Sequence, residues 1–154
     1  MDVGNVIEFG SGNLNLTPGL INADWILEGK PLTNNKLLSK SADGCASTWM
    51  WDCTAGRFNW FYDTDETVYV VEGSVIIKDG SRTRHVSAGE TIFFPAGSSA
   101  EWTVPHYVRK VAFLRSPLPR PVQFARRVYH GLNRLLGRKG NRVEGGNSLM
   151  SQTR

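Results

Sequence analysis

Cysteine is scarce in this 154-residue chain: Cys45 and Cys53 are the whole supply. Two isolated thiols cannot build a disulfide framework, and they show no paired metal-ligand spacing. Histidine is nearly as rare, with His85, His106 and His130 the only three. No run approaches the ~18 apolar residues that a membrane-spanning helix needs. The opening MDVGNVIEFGSG carries an acid and no apolar stretch, so no secretory leader is expected. Reduced thiols without a leader lead us to expect a cytoplasmic protein. A helical period is also missing before residue 120, which excludes a helix bundle for most of the chain.

What is present is β-strand rhythm. From about residue 46, ASTWMWDC, RFNWFY, TVYVVEGSVIIK, TRHVS, TIFF, AEWTV and YVRKVAFL alternate with TAG, DTDE, DGS, AGE, PAGSS and PH. Short segments rich in Val, Ile, Thr and aromatics, punctuated every ten or so residues, predict an antiparallel all-β sandwich or small barrel. Residues 1–45 are poorly patterned: SGNLNLTPG and GKPLTNN read as turns, and ADWIL as a strand or a plug. Alternation places Phe58, Trp60 and Tyr62 on one face, Glu66, Val68 and Val70 on another, and Ala100, Trp102 and Val104 on a third. After Leu114 the composition changes. RSPLPRP ends the sheet, and VQFARRVYHGLNRLLG suits a basic amphipathic helix. Residues 115–154 hold nine Lys/Arg against one acid, a charge of +8. The net charge of +4 therefore leaves −4 on the first 114 residues. The expected organisation is a barrel with its N-terminal extension over 1–115 and a basic helical tail over 116–154, its last residues disordered.

ETVYVVEGSVIIKDG followed by SAGETIFFPAGSSAEW resembles the cupin superfamily, whose fold is a double-stranded β-helix, a small jelly-roll barrel. WMWDCTAGRFNWFYDTDETVYVVEG with PAGSSAEWTV and VRKVAF resembles, more narrowly, the cupins related to ureidoglycine aminohydrolase and to ethanolamine utilisation. The resemblance covers about residues 20–115. Glu66 and Gly73 match the second half of the first cupin motif, and Gly89, Pro95 and Gly97 match the scaffold of the second. At the positions where the family pattern has histidines, this chain has Trp60, Tyr62 and Ala100. Of four expected metal ligands, Glu66 alone survives.

One glutamate and a phenol do not supply the three or more ligands that a transition metal typically takes, so neither metal nor other cofactor is expected. A hard-cation site at Asp63, Asp65 and Glu66 is the alternative to a plainly solvated turn. The leading expectation is an aromatic pocket with one inward carboxylate, binding a small molecule through Trp51, Trp60, Tyr62, Glu66, Trp102 and Lys110. A carboxylate in such a wall must find a hydrogen bond from Tyr62 or Tyr69, a cation from Arg57, Arg109 or Lys110, or act as a proton carrier. Glu66 is accordingly the candidate catalytic residue, as general acid/base, against the bland reading that it only anchors a strand. Whether Arg109 or Lys110 faces inward is open. Cys53 reads as packing, and the three histidines as surface residues. Two rival functions stand beside this one: a metal-dependent enzyme of the aminohydrolase-like or isomerase type, and a scaffold acting through the basic helix. That helix could pack on the barrel or a second subunit, lie on an anionic membrane surface, or meet an acidic partner; no nucleic-acid signature accompanies it. The resemblance further implies a homodimer formed through sheet edges.

Overall fold

The computed structural model describes residues 14–117 and, beyond them, residues 121–122, 124–125 and 128–129. The first of these stretches is all-β. Its elements are β1 (Thr17–Gly19), a 3₁₀ turn (Ala23–Trp25), β2 (Ile26–Gly29), β3 (Thr33–Lys40), β4 (Ala46–Phe61), β5 (Asp65–Asp79), β6 (Arg82–Ser87), β7 (Thr91–Phe94) and β8 (Ser99–Arg115). The basic amphipathic helix expected after Leu114 lies outside the described residues, apart from those six positions.

Three long strands organise the molecule, and every pairing is antiparallel. In the order β3-β4-β8-β5, the first part of β4 (46–54) lies beside the last part of β8 (107–115), which lies beside the first part of β5 (65–73). β1 extends this half beyond β3, and β7 covers the far edge of β5. The other ends of the same three strands make a second half, with β2 on β4 and β6 on β5. The sheet turns between its halves at bulges: Thr54/Gly56 in β4, and Val70/Glu72 and Gly73/Ile76 in β5. A bulge inserts a residue and bends its strand without breaking it. That is why TAG and PH, expected to be turns between separate strands, lie inside continuous ones. Gly73 sits at such a bend with φ of 73°, where an added Cβ would stand 2.0 Å from the Tyr107 carbonyl oxygen. Only glycine fits so close a crossing.

The N-terminal region departs from expectation more sharply. Thr17–Gly19 and Thr33–Lys40 are strands, although LTPG and KPLTNN carry turn residues. Sheet pairing overrides the weak propensity of Asn34 and Asn35, because Asn34 donates from Nδ2 to Asp52 Oδ1 at 2.8 Å across the ladder. Ala23–Trp25 turns as a 3₁₀ segment capped by Asn22, and Ile26 and Leu27 enter β2.

Between the halves lies one core. It includes Cys53, Phe58, Tyr62, Val68, Val70, Val75, Phe94, Trp102, Val104 and Val108, with Trp51, Trp60, Ile21 and Ile92 half-buried against it. The three faces read from alternation all point inward as expected. The bulges at Thr54/Gly56 and Val70/Glu72 change the parity of β4 and β5, so Cys53 and Phe58, and Val70 and Val75, all keep their side chains on the interior.

Candidate functional site

The interior face of the first half carries two buried charged side chains, and they are neighbours. Val70 and Lys110 are opposite each other across the β5–β8 ladder, and Glu66 lies on β5 opposite Leu114. The side chains of Glu66 and Lys110 converge: Lys110 Nζ donates to Glu66 Oε1 at 2.7 Å. Both are buried, at 6% and 5% exposure. Lys110 is therefore the inward member of the Arg109–Lys110 pair, and of the cations considered it is the one that answers Glu66. Arg109 faces the other way, 3.7 Å from Asp52, itself buried at 7% exposure.

Indole rings flank the ammonium. Nζ stands 4.9 Å from the Trp51 ring centroid and 4.7 Å from that of Trp102. A cation over two tryptophan faces gains electrostatically from both ring quadrupoles, and more so out of water. The site is thus a salt bridge inside an aromatic box, with Trp51 and Trp102 in edge contact at 5.9 Å.

Tyr62 follows β4 directly and is held by backbone bonds to the next motif: its N–H donates to the Ser98 carbonyl, and its carbonyl accepts from Gly97 N–H at 2.7 Å. The Pro95–Ser98 turn that does this needs Gly97 at φ of 83°, a value a type II turn demands at its third position. The Tyr62 hydroxyl accepts from Trp102 Nε1 at 2.9 Å. Burial, and secondarily the Glu66 charge, push the Tyr62 phenol far above its usual range, so it stays protonated and can donate. Its ring stacks on Phe94 at 4.2 Å, and Phe58 stacks on Trp102 at 6.1 Å.

Of the six residues expected to bind a ligand, all line this interior, but in two grades. Tyr62 and Trp102 are locked into the core. Trp51 and Trp60 are half-buried and touch each other at 6.1 Å between centroids, so they offer ring surface toward solvent. Two contributors were not anticipated. Trp25, from the segment read as a strand or a plug, packs on Trp60 at 5.6 Å and on Phe61 at 5.2 Å. Phe94 is the cross-strand partner of Glu66; alternation in TIFF immediately before the Pro95 motif was the signal that could have found it.

The acidic turn does not converge. Glu66 points inward and Asp63 is exposed. Asp65 accepts from the Ala96 N–H at 3.0 Å and from Arg115 at 2.7 Å. Those donors hold the Asp65 carboxyl below its ordinary value, the Ala96 bond first. Among the described residues no three His, Cys, Asp or Glu side chains group closely enough to hold a metal ion. Cys53 is fully buried, donates from Sγ to the Thr54 carbonyl, and has its thiol pushed up to about 12, chiefly by burial. A thiol so placed is packing, not a nucleophile.

This geometry can be set beside known proteins. Residues 40–112 match the family model described as EutQ-like cupin domain. A curated relative, acetate kinase EutQ of Clostridioides difficile, is 38% identical over 66 residues, 43% of this chain. The matched region spans 40% of that relative's length. The solved structure of the Clostridium difficile EutQ protein has TM-score 0.50 and 27% identity, covering 56% of this chain and 69% of that one. A protein from Pseudomonas syringae pv. tomato aligns with TM-score 0.62 at 22% identity, over 66% of this chain and 45% of its own; it bears on the fold alone. No described helix is long and apolar enough to cross a membrane.

Proposed function

We propose that this chain, whose residues 40–112 match the EutQ-like cupin domain, binds a small organic molecule in its interior at the Glu66–Lys110 pair without a transition metal. The observation that carries this reading is the pair itself, at 2.7 Å inside a box of indoles. Two opposite charges taken out of water cost more than apolar residues of the same volume would, so stability does not call for them. Buried ionisable groups of this kind cluster at functional sites.

The donor set argues against a metal. Two of the three positions that would hold imidazoles carry Trp60 and Ala100; the third, Tyr62, spends its oxygen on Trp102. One oxygen of Glu66 is engaged by Lys110, so an ammonium tethered to the protein serves as the carboxylate's cation. An ammonium has three donors, and among the described residues one of them makes a hydrogen bond, to Glu66. A ligand with adjacent acceptor and donor atoms, such as a carboxylic acid or an amide, can accept from Nζ while donating to Glu66 Oε2. Trp51 and Trp60 would cover its apolar side. The substrate named for the curated relative, acetate, is a small carboxylate of this class. In an enzyme, Glu66 would be the proton-transfer group, held in place by the same lysine.

Thermal-shift screening against small carboxylic acids, amides and ureides tests the reading. A hit should stabilise the wild type and lose its effect in Glu66→Gln, whose fold persists. Stabilisation that survives the substitution would remove the carboxylate from the site. Stoichiometric manganese, zinc or iron in purified protein would favour the metal-dependent alternative.

A further inference from the structure

Among the described strands, β6 and β7 each pair with β5 alone, so each carries a free edge. A cleft of about 560 Å³ is lined from both of them. That volume is in the range of small-ligand pockets. Its floor is apolar, made by Ile77, Val86, Ile92, Phe94 and Ala100. Neither Glu66 nor Lys110 lines it, so it is a second place for a ligand, apart from that pair.

The rim of the cleft is charged. Alternation puts Arg82 and Arg84 on the same face of β6 as buried Val86, the face turned to the interior. Phe58, Trp102, Ile77 and Arg84 lie opposite one another across successive ladders and form one interior row. An inward charge on an edge strand is one device against stray strand pairing, but that role needs no hollow beside it. The pairing of the arginines points further. Arg57, Arg109 and Arg115 each reach a carboxylate, whereas Arg82 and Arg84 form no ion pair among the described residues. In register, Arg82 has the acid Asp79 opposite it, while Arg84 has Ile77. Glu90, the other acid of the rim, already accepts from the Ser87 N–H at 2.7 Å.

We propose that this cleft binds an organic carboxylate with an apolar body, the anion held by Arg84 and the body resting on Ile92, Phe94 and Ala100. A guanidinium presents a planar fork of donors that matches a carboxylate. Asp79 and Glu90 on the same rim select a single negative charge over a phosphate dianion, because like charges repel.

A heteronuclear NMR titration of the full chain tests this, with naphthoate as the probe and the uncharged naphthalenemethanol as its control. Naphthoate should shift the amide signals of Ile77, Arg84, Ile92 and Ala100 saturably, and bind about tenfold or more tightly than the alcohol. Arg84→Gln should remove that advantage, and Arg82→Gln should cost less. Glu66→Gln should leave the titration unchanged, which separates this cleft from the interior pair. Equal binding of acid and alcohol would overturn the proposal, as would the absence of saturable shifts, or inorganic phosphate bound as tightly as naphthoate. Shifts centred on Trp51, Glu66 and Lys110 and lost with Glu66→Gln would support the interior site and overturn this one. The comparison of acid with alcohol is made on the wild type, so it decides even if a variant fails to fold.

Discussion

Replacing Lys110 by methionine isolates the energetics of the interior pair. The substitution keeps the length and most of the volume of the side chain but removes its charge. Glu66, 6% exposed, is then left without its cation. At an effective dielectric near 20, charges 2.7 Å apart attract by about 6 kcal/mol. Desolvation of both groups cancels most of that in the intact pair, yet removing one partner leaves the other's desolvation uncompensated, a loss of about 3–5 kcal/mol. For a chain of this size that corresponds to a fall in Tm of roughly 10–15 °C. Changing Glu66 to leucine in the same protein removes the orphaned carboxylate, and the double variant should return to within about 1 kcal/mol of wild type or exceed it. Urea denaturation of the four proteins closes the double-mutant cycle, with an expected coupling of at least about 2 kcal/mol. Additive losses, with no recovery in the double variant, would show that the two side chains do not act as a buried pair and would refute this reasoning.

Other outcomes follow from the same packing. Phe58→Ala, at a fully buried position, should cost about 3–5 kcal/mol in chemical denaturation, and Trp60→Ala clearly less because Trp60 is half-buried; equal losses would mean that Trp60 is core and not pocket wall. Gly73→Ala meets the Tyr107 carbonyl at a positive φ, so it should destabilise by on the order of 3–5 kcal/mol, read as a fall in the urea midpoint. Asp65 is held below its ordinary value of 3.8 by the Ala96 N–H and Arg115. Its stabilising contribution should be complete above that value and vanish as pH falls through its lower folded pKa. The wild-type and Asp65→Asn urea midpoints should accordingly converge in acid. Cys53 should resist alkylation at pH 8 in the native protein and react on unfolding, as mass spectrometry of labelled peptides would show.

Much of the fold was legible because period-two alternation in strands buried on one face leaves little freedom. Phe58, Tyr62, Val68, Val70, Trp102 and Val104 fall inward as their spacing demands. The motif glycines could also be read physically: Gly73 permits a close strand crossing, and Gly97 a turn that fastens Tyr62 to the chain at Ser98. The N-terminal strands were not legible. β1 (TPG) and β3 (TNNKLLSK) are rich in poor strand formers and exist by pairing with neighbours distant in sequence. The long strands likewise hid their continuity, since a bulge and a turn both show glycine.

At the site, composition suggested a lone carboxylate, and the structure supplies its partner. Alternation could not choose between Arg109 and Lys110, because neighbours on a strand point to opposite faces and β8 holds apolar residues of both parities. The register with β5 made the choice, setting Lys110 opposite Val70 and Arg109 opposite Glu72. Trp25 lay beyond any local signal, since its contact with Trp60 depends on how a 3₁₀ turn meets a strand. The acidic turn misled in another way: Asp65 and Glu66 are adjacent in sequence, so alternation itself sends them to opposite faces.

The most direct test is a high-resolution crystal structure of protein grown and purified with manganese, zinc and iron supplied, viewed at Glu66. The account predicts the Lys110 ammonium within hydrogen-bonding distance of that carboxylate, between Trp51 and Trp102. A well-occupied cation bound there by several protein atoms, with Lys110 displaced, would contradict it.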